Sequence, residues 1–316
     1  MQLVERSFRL EGSEGLGRRP RPELIGPVLS SLHDTLQDAV RMGFLHASHP
    51  RGRIPKVLSA AADVRFIDHI ADDENSTTLR FEVATFGSAA AELFQQRVLW
   101  NDGPTEDQTA FELLGLTLND VLERKTESNR FDGSLLARIG RYKSTLRGGL
   151  NAIGLPDAHI ARPARIDREV VDAAGALHDV TPQQRRVRVT GRLDLMGASQ
   201  GVLKLQVRGA EVVTAIWTGK RPIDELSGLF NRDVVLEGLG VFRPSGSLLR
   251  IDADAVAGAT QQDEFFRELP RAVIAKDYVR LARLKPGETS AYARIFGCIP
   301  AEESDEEFQA ALRALR

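Results

Sequence analysis

Along most of this chain apolar residues recur at every second or at every third to fourth position, and the two periods divide it into elements. Residues 3–10 alternate weakly, and after a Gly/Arg/Pro-rich loop the run 22–42 places Leu24, Val28, Leu32, Leu36 and Val40 near helical spacing. The pattern predicts a strand and then a helix. Residues 62–70 and 78–84 alternate again, with Val64 and Phe66 in the first run and Leu79, Phe81 and Val83 in the second. The polar Asp72-Asp73-Glu74-Asn75-Ser76 between them is a turn, so the two runs are predicted to form an antiparallel pair. Helical spacing dominates 86–150. Thr105 and Gln108 fit a capping box ahead of the stripe Phe111, Leu114, Leu118, Val121 and Leu122. A second start at Asp132 precedes Leu135, Leu136, Ile139, Tyr142, Leu146 and Leu150, with Gly148-Gly149 and Pro156 as the stop. Ile166 and Val170 suggest one more strand within 161–173, and Gly43 would interrupt the first helix.

From Arg185 onward the alternation is more regular. Val187, Val189, Leu193 and Leu195 share one face, and Arg186, Arg188, Thr190 and Arg192 the other, as in a strand with one buried side. Four further strand-like runs follow, at 203–207, 211–217, 233–242 and 248–256, with a helix-compatible piece at 222–230. Five strands with a helical insert between the third and fourth is the order of an OB barrel. The fold class expected is therefore α+β: an N-terminal mixed domain (1–182), an OB-like five-stranded barrel (183–258) and a C-terminal helical tail (259–316).

Composition sharpens this in three ways. The 316 residues carry a net charge of −2, which removes the global basic signature of a chain devoted to nucleic acid, yet residues 185–256 alone hold 11 basic and 8 acidic side chains. Of the 42 basic residues 35 are arginine, a skew that follows more readily from a GC-rich bacterial genome than from a binding task. The one cysteine, Cys298, excludes an intramolecular disulfide and a cysteine-based zinc site. No apolar stretch reaches membrane-spanning length and residues 1–6 lack a secretory h-region, so a cytoplasmic location is expected.

The runs 187–192, 201–205, 234–238 and 243–251 resemble the OB modules of anticodon-binding domains and exodeoxyribonuclease large subunits. That resemblance implies binding of single-stranded nucleic acid, which uses a basic groove and aromatic stacking platforms. The residues that would serve are Arg186, Arg188, Arg192, Lys204 and Arg208 for phosphate and Trp217 for stacking, with Phe242 as a further aromatic candidate. In the tail, Ser304 and Glu307 fit a capping box for a short helix over 310–315. The string 295–308 is similar to the tails of short bacterial antitoxin-like proteins encoded beside PIN-domain nucleases. This implies a protein partner bound through Phe296, Ile299, Phe308 and Leu312.

Catalytic and metal motifs fail on inspection. Arg41 and His46 match the R-x4-H spacing of HEPN-type ribonucleases, but the abundance of arginine supplies such spacings by chance. His46 and His49 lack a third ligand at helical spacing, and Asp34 with Asp38, like Glu302 with Glu306, read as exposed charge. No phosphate loop, nucleophile elbow or His-Glu-x-x-His is present, and no cofactor or metal site is expected. The expected function is non-catalytic binding of single-stranded nucleic acid within a bacterial multi-protein system. The alternatives are a protein-interaction or antitoxin-like role, or an enzyme whose site lies in the N-terminal domain.

Overall fold

Strand β1 (Leu3–Gly12) turns Phe8 and Leu10 into the interior and leaves Glu5, Arg9 and Glu11 on the solvent side. In this computed structural model, which describes residues 3–12, 16–17, 20–49, 55–94, 103–156, 163–197, 201–207 and 212–272, β1 is the centre of a five-stranded antiparallel sheet. The sheet order is β2-β3-β1-β4-β5, with β2 (Val64–Ala71), β3 (Ser76–Ala84), β4 (Leu150–Leu155) and β5 (Ala164–Asp167). The β2–β3 hairpin forms where the alternation places it. Its turn is closed by Asp73, whose carboxylate accepts from the Asn75 amide (2.7 Å) and the Ser76 hydroxyl (2.8 Å).

Helix α1 (Pro22–Leu45) begins with proline in its first turn, where the missing N–H costs nothing. It also runs straight through Gly43. A Cβ there would stand 2.8 Å from Leu113 Cδ1, so this glycine allows close approach to α5 (Ala110–Leu122) and does not break the helix. The expected capping box lies one turn too early. Thr105 and Gln108 bond each other in the preceding turn, and the box that starts α5 is Thr109 with Glu112.

Helix α6 (Gly133–Arg147) is capped by Asp132 as expected, but Leu150 opens β4 after a left-handed Gly149 (φ 120°) and is not part of the helix. The stretch 161–173 likewise divides. Asp167 ends β5 and caps α7 (Arg168–Val180), so Val170 is helical. Short helices α2 (Lys56–Ala61), α3 (Phe86–Ala89) and α4 (Ala91–Phe94) complete this region. The rings of Phe8, Phe81 and Phe111 meet where α5 covers the sheet, each worth about 1.5–3 kcal/mol of burial.

The remaining strands, β6 (Arg185–Gly197), β7 (Val202–Gln206), β8 (Val212–Trp217), β9 (Asp233–Phe242) and β10 (Leu248–Gly258), close into a barrel. Around the ring β6 neighbours β7, β7 neighbours β8, β8 neighbours β10, and β10 returns to β6 through β9. Only β8 and β10 run parallel, and a 3-10 turn (Ile223–Leu229) joins the third strand to the fourth. The architecture is consistent with an OB-like barrel. Val187, Val189, Leu193, Leu205, Leu236 and Ile251 fill its interior.

The sheet region and the barrel belong to one compact unit, Met1–Ile274. Val202, Ile216, Val241 and Leu249, all on barrel strands, join the core of the sheet region and not that of the barrel. A buried polar cluster secures the contact: Arg250 donates to Asp132 (3.1 Å), to Asp252 (2.9 Å) and to the His46 carbonyl (2.8 Å). Arg208 and the tail residues Phe296, Ile299, Phe308 and Leu312 lie outside the described residues. Among the described residues no helix is long and apolar enough to cross a membrane.

Candidate nucleic-acid interface

An OB-type barrel takes its ligand on the face of its second and third strands and on the loops joining strands one to two and four to five. Here those strands are β7 and β8. Val202 and Ile216, which pair directly across them, are buried against the sheet region. The loop between β9 and β10 is bonded there too. The Ser245 amide donates to the Thr126 carbonyl (3.3 Å), Arg243 Nε to Asn129 (3.0 Å), and the Ser247 hydroxyl to Glu127 (2.6 Å). Burial pushes the Arg243 guanidinium below its ordinary value, while Ser247, Ser245 and nearby arginines hold Glu127 below the usual carboxylate range against the opposing effect of burial.

The basic stripe divides into two groups. Residues 185–192 of β6 pair with β9, and the far end of the strand pairs with β7. Lys204 stands opposite Leu195, roughly 20 Å along β6 from Arg188 at about 3.3 Å per residue. Arg192, where the two pairings meet, faces Gln206 on β7 and Asp233 on β9 and donates to the side-chain oxygen of Asn231 (2.7 Å). Arg186 and Arg188 lie on the other group, each held by a carboxylate. Arg186 forms a two-pronged pair with Asp254 (2.7 and 2.9 Å), and Arg188 pairs with Glu237 directly across the ladder.

Asp254 reaches Arg186 across the width of β9 because of a bulge. The β9–β10 register shifts between Ala253 and Ala255, so Asp254 is the extra residue, and a bulge of this kind re-aims a side chain. The Arg186 guanidinium holds the Asp254 carboxyl below the usual carboxylate range. Both groups remain open to water, with 58% of the Arg186 side chain and 42% of Asp254 exposed.

Asp254 also lines a groove of about 480 Å³ together with Trp217, Thr218, Lys220 and Arg221. The indole is half-buried at the end of β8. It leans on the barrel core, its Nε1 donates to the Arg221 carbonyl (2.7 Å), and its ring lies so close to Gly219 that a Cβ there would come within 2.3 Å. Trp217 is thus not the free outward platform the alternation left open, but one wall of a groove. Phe242 is buried in the barrel core.

The structure therefore links Trp217, at the end of β8, to Arg186 on β6 through Asp254, with β10 and β9 lying between at about 4.8 Å per strand. It places Arg192 and Lys204 elsewhere. Sequence reasoning missed Lys220 and Arg221 beside the indole, and it missed two exposed aromatics. Phe265 is 88% exposed next to Phe266, over whose ring Arg188 lies at 5.0 Å; Phe230 is 52% exposed next to Asn231. The Phe265-Phe266 pair within the polar run 261–268 was the available signal.

A second cleft, about 840 Å³, lies beside α1 and α5 and is lined in part by His46, Gln108, Asp120, Arg124 and Arg130. Asp120, nearly buried, accepts from Lys125 (2.8 Å), Ser128 (2.7 Å) and Arg130 (2.7 Å), and these bonds outweigh its desolvation and lower its pKa. Its cations are thus committed to closing the loop. Arg41 turns to Asp38 (3.2 Å) and Gln37 (2.7 Å), while His46 occupies the left-handed cap of α1 (φ 54°). Among the described residues no group of three metal-ligating side chains converges. The chain matches no protein family, no curated protein and no solved structure.

Proposed function

We propose that this protein binds single-stranded nucleic acid without cleaving it, along a track that starts in the Trp217 groove and crosses β10 and β9 to Arg186 and Arg188. The observation that carries the reading is an indole-walled groove with two further cations at the end of β8, joined through Asp254 of β10 to the paired Arg186 and, by way of Glu237, to Arg188 on β6. Binding of single strands combines a cationic path with aromatic faces on which bases stack, and it tolerates sequence because every base has a π face. The Phe266 ring under the Arg188 guanidinium at 5.0 Å, with the exposed Phe265 next to it in sequence, supports an aromatic extension of the path at that end.

Fluorescence anisotropy with labelled single-stranded DNA and RNA at several salt concentrations tests this. Each phosphate contact contributes up to about 0.7 to the magnitude of the negative log–log slope, so Arg186→Ala with Arg188→Ala should flatten the slope by at most about 1.4. Trp217→Phe, which keeps an aromatic wall, should weaken binding less than Trp217→Leu. Absence of binding by the wild type at low salt would overturn the reading.

Contact with protein alone is the second reading. It draws on Phe66, Ile67 and Ile70, which stand 42–49% exposed on the edge strand β2. The bulge between Phe66 and Asp68 interrupts that edge, which discourages pairing with another strand.

A further inference from the structure

Resting on the nucleic-acid reading, we infer that Asp254 and Glu237 occupy the positions that two successive phosphates would take, so the track is self-masked and binding proceeds by exchange of carboxylate for phosphate. Arg186 and Arg188 are two residues apart on one face of β6, about 6.6 Å at the rise of a strand, which is of the order of the spacing between neighbouring phosphates in an extended single strand. Each guanidinium fork already grips an oxyanion. Asp254 does so with both oxygens at 2.7 and 2.9 Å, the two-pronged geometry that a phosphate also offers to arginine.

Glu237 joins the two sites. One of its oxygens is bonded to Arg188 and the other lies 3.9 Å from Arg186, so release of Asp254 leaves Arg186 with a second acid nearby. The placement is not what packing alone demands. Asp254 occupies a bulge, which directs its side chain over β9 to Arg186 and at the same time places it on the wall of the Trp217 groove. An entering strand that stacks a base there would bring its phosphate onto the Asp254 carboxylate, and repulsion between the two anions would favour exchange onto the arginine.

Exposed pairs of this kind hold weakly, so the mask reduces affinity without abolishing it. It also predicts a wild-type slope shallower than about −0.7 per contact, because each carboxylate freed by the exchange gathers cations that offset part of those leaving the phosphate.

The test is anisotropy with an oligo(dT) probe and the full-length wild type, Asp254→Asn, Glu237→Gln and Arg186→Ala/Arg188→Ala. Each of Asp254→Asn and Glu237→Gln should bind about two- to five-fold more tightly at low salt and show a steeper salt slope, and the arginine variant should bind more weakly than wild type. Affinity unchanged or reduced in both acid variants, with the arginine variant still impaired, would overturn the mask while leaving the nucleic-acid reading in place. No binding by any of the four proteins would overturn both. Circular dichroism of the acid variants separates loss of fold from loss of affinity.

Discussion

Asp132 is the residue whose replacement tests the account of how sheet region and barrel are joined. Its carboxylate, like the Arg250 guanidinium, is almost fully buried, at 3% and 4% exposure. One oxygen accepts from the Ser48 hydroxyl (2.5 Å) and from the Leu135 amide (3.1 Å) at the start of α6. The other accepts from the Ser48 amide (3.1 Å) and from Arg250 (3.1 Å). Asp132→Asn retains shape and one carbonyl oxygen but leaves Arg250 without this counter-charge. Removal of one partner from a buried ion pair costs about 3–5 kcal/mol, and because Asp252 still holds the Arg250 Nε, the lower end, about 3 kcal/mol, is expected. Asp132→Ala adds the loss of a helix cap, about 1 kcal/mol, and strands the Ser48 donors, so about 5 kcal/mol is expected. With urea slopes of about 1–3 kcal/mol per molar, Asp132→Asn should lower the urea midpoint by about 1 M or more. The companion variant Asp132→Asn/Arg250→Met/Asp252→Asn removes the cation together with both of its acids and should recover part of the loss. A midpoint within experimental scatter of wild type for Asp132→Asn, or no recovery in the triple variant, would refute the assignment of Arg250–Asp132 as the joint.

Asp120 has a folded-state pKa below its unfolded value, so the stability it contributes is complete above about pH 3.9 and is lost as pH falls through the lower folded-state value. Urea midpoints measured between pH 2 and 5 should fall less steeply for Asp120→Asn than for wild type. Gly219→Ala should force the Trp217 ring from its seat, shifting the tryptophan emission spectrum and weakening oligonucleotide binding, while an unchanged spectrum would show that the loop yields instead. His46→Gly, which keeps the left-handed cap, should leave any RNA cleavage by the purified protein unchanged, because Arg41 is turned away to Asp38 and Gln37. Loss of cleavage with the fold intact would show that the Arg41–His46 spacing carries chemistry.

The barrel was legible where one face of a strand meets its core, because a period of two is then written directly into residues such as Val187, Val189, Leu203 and Leu205; the additional burial of Val202, Ile216, Val241 and Leu249 against the sheet region was not. Where a tertiary contact set the local structure, the pattern misled. Gly43 looked like a helix breaker because nothing in the sequence states that Leu113 lies against it. Val170 and Leu150 were apolar residues at element boundaries, and only the Asp167 cap and the left-handed Gly149 decide their state. The site was legible in residue type and not in placement. Arg186 and Arg188 were found by alternation, but a bulge is invisible to that reasoning, so Asp254, which both pairs Arg186 and lines the Trp217 groove, was not.

The same comparison of magnitudes decides which barrel face can take a ligand. To uncover the Val202–Ile216 end of the β7–β8 face, the barrel would have to part from the sheet region, withdrawing Val241 of β9 and Leu249 of β10 along with Val202 and Ile216 from its core. At about 1.5–3 kcal/mol each this costs roughly 6–12 kcal/mol, before the Arg250–Asp132 pair is broken. Sequence-independent binding with dissociation constants of about 10⁻⁴–10⁻⁶ M returns about 5–8 kcal/mol. Opening that face therefore exceeds or consumes what binding supplies. The β10–β9–β6 face requires only the exchange of two exposed ion pairs, each worth about 1 kcal/mol or less, and it carries the paired arginines and adjoins the Trp217 groove through Asp254.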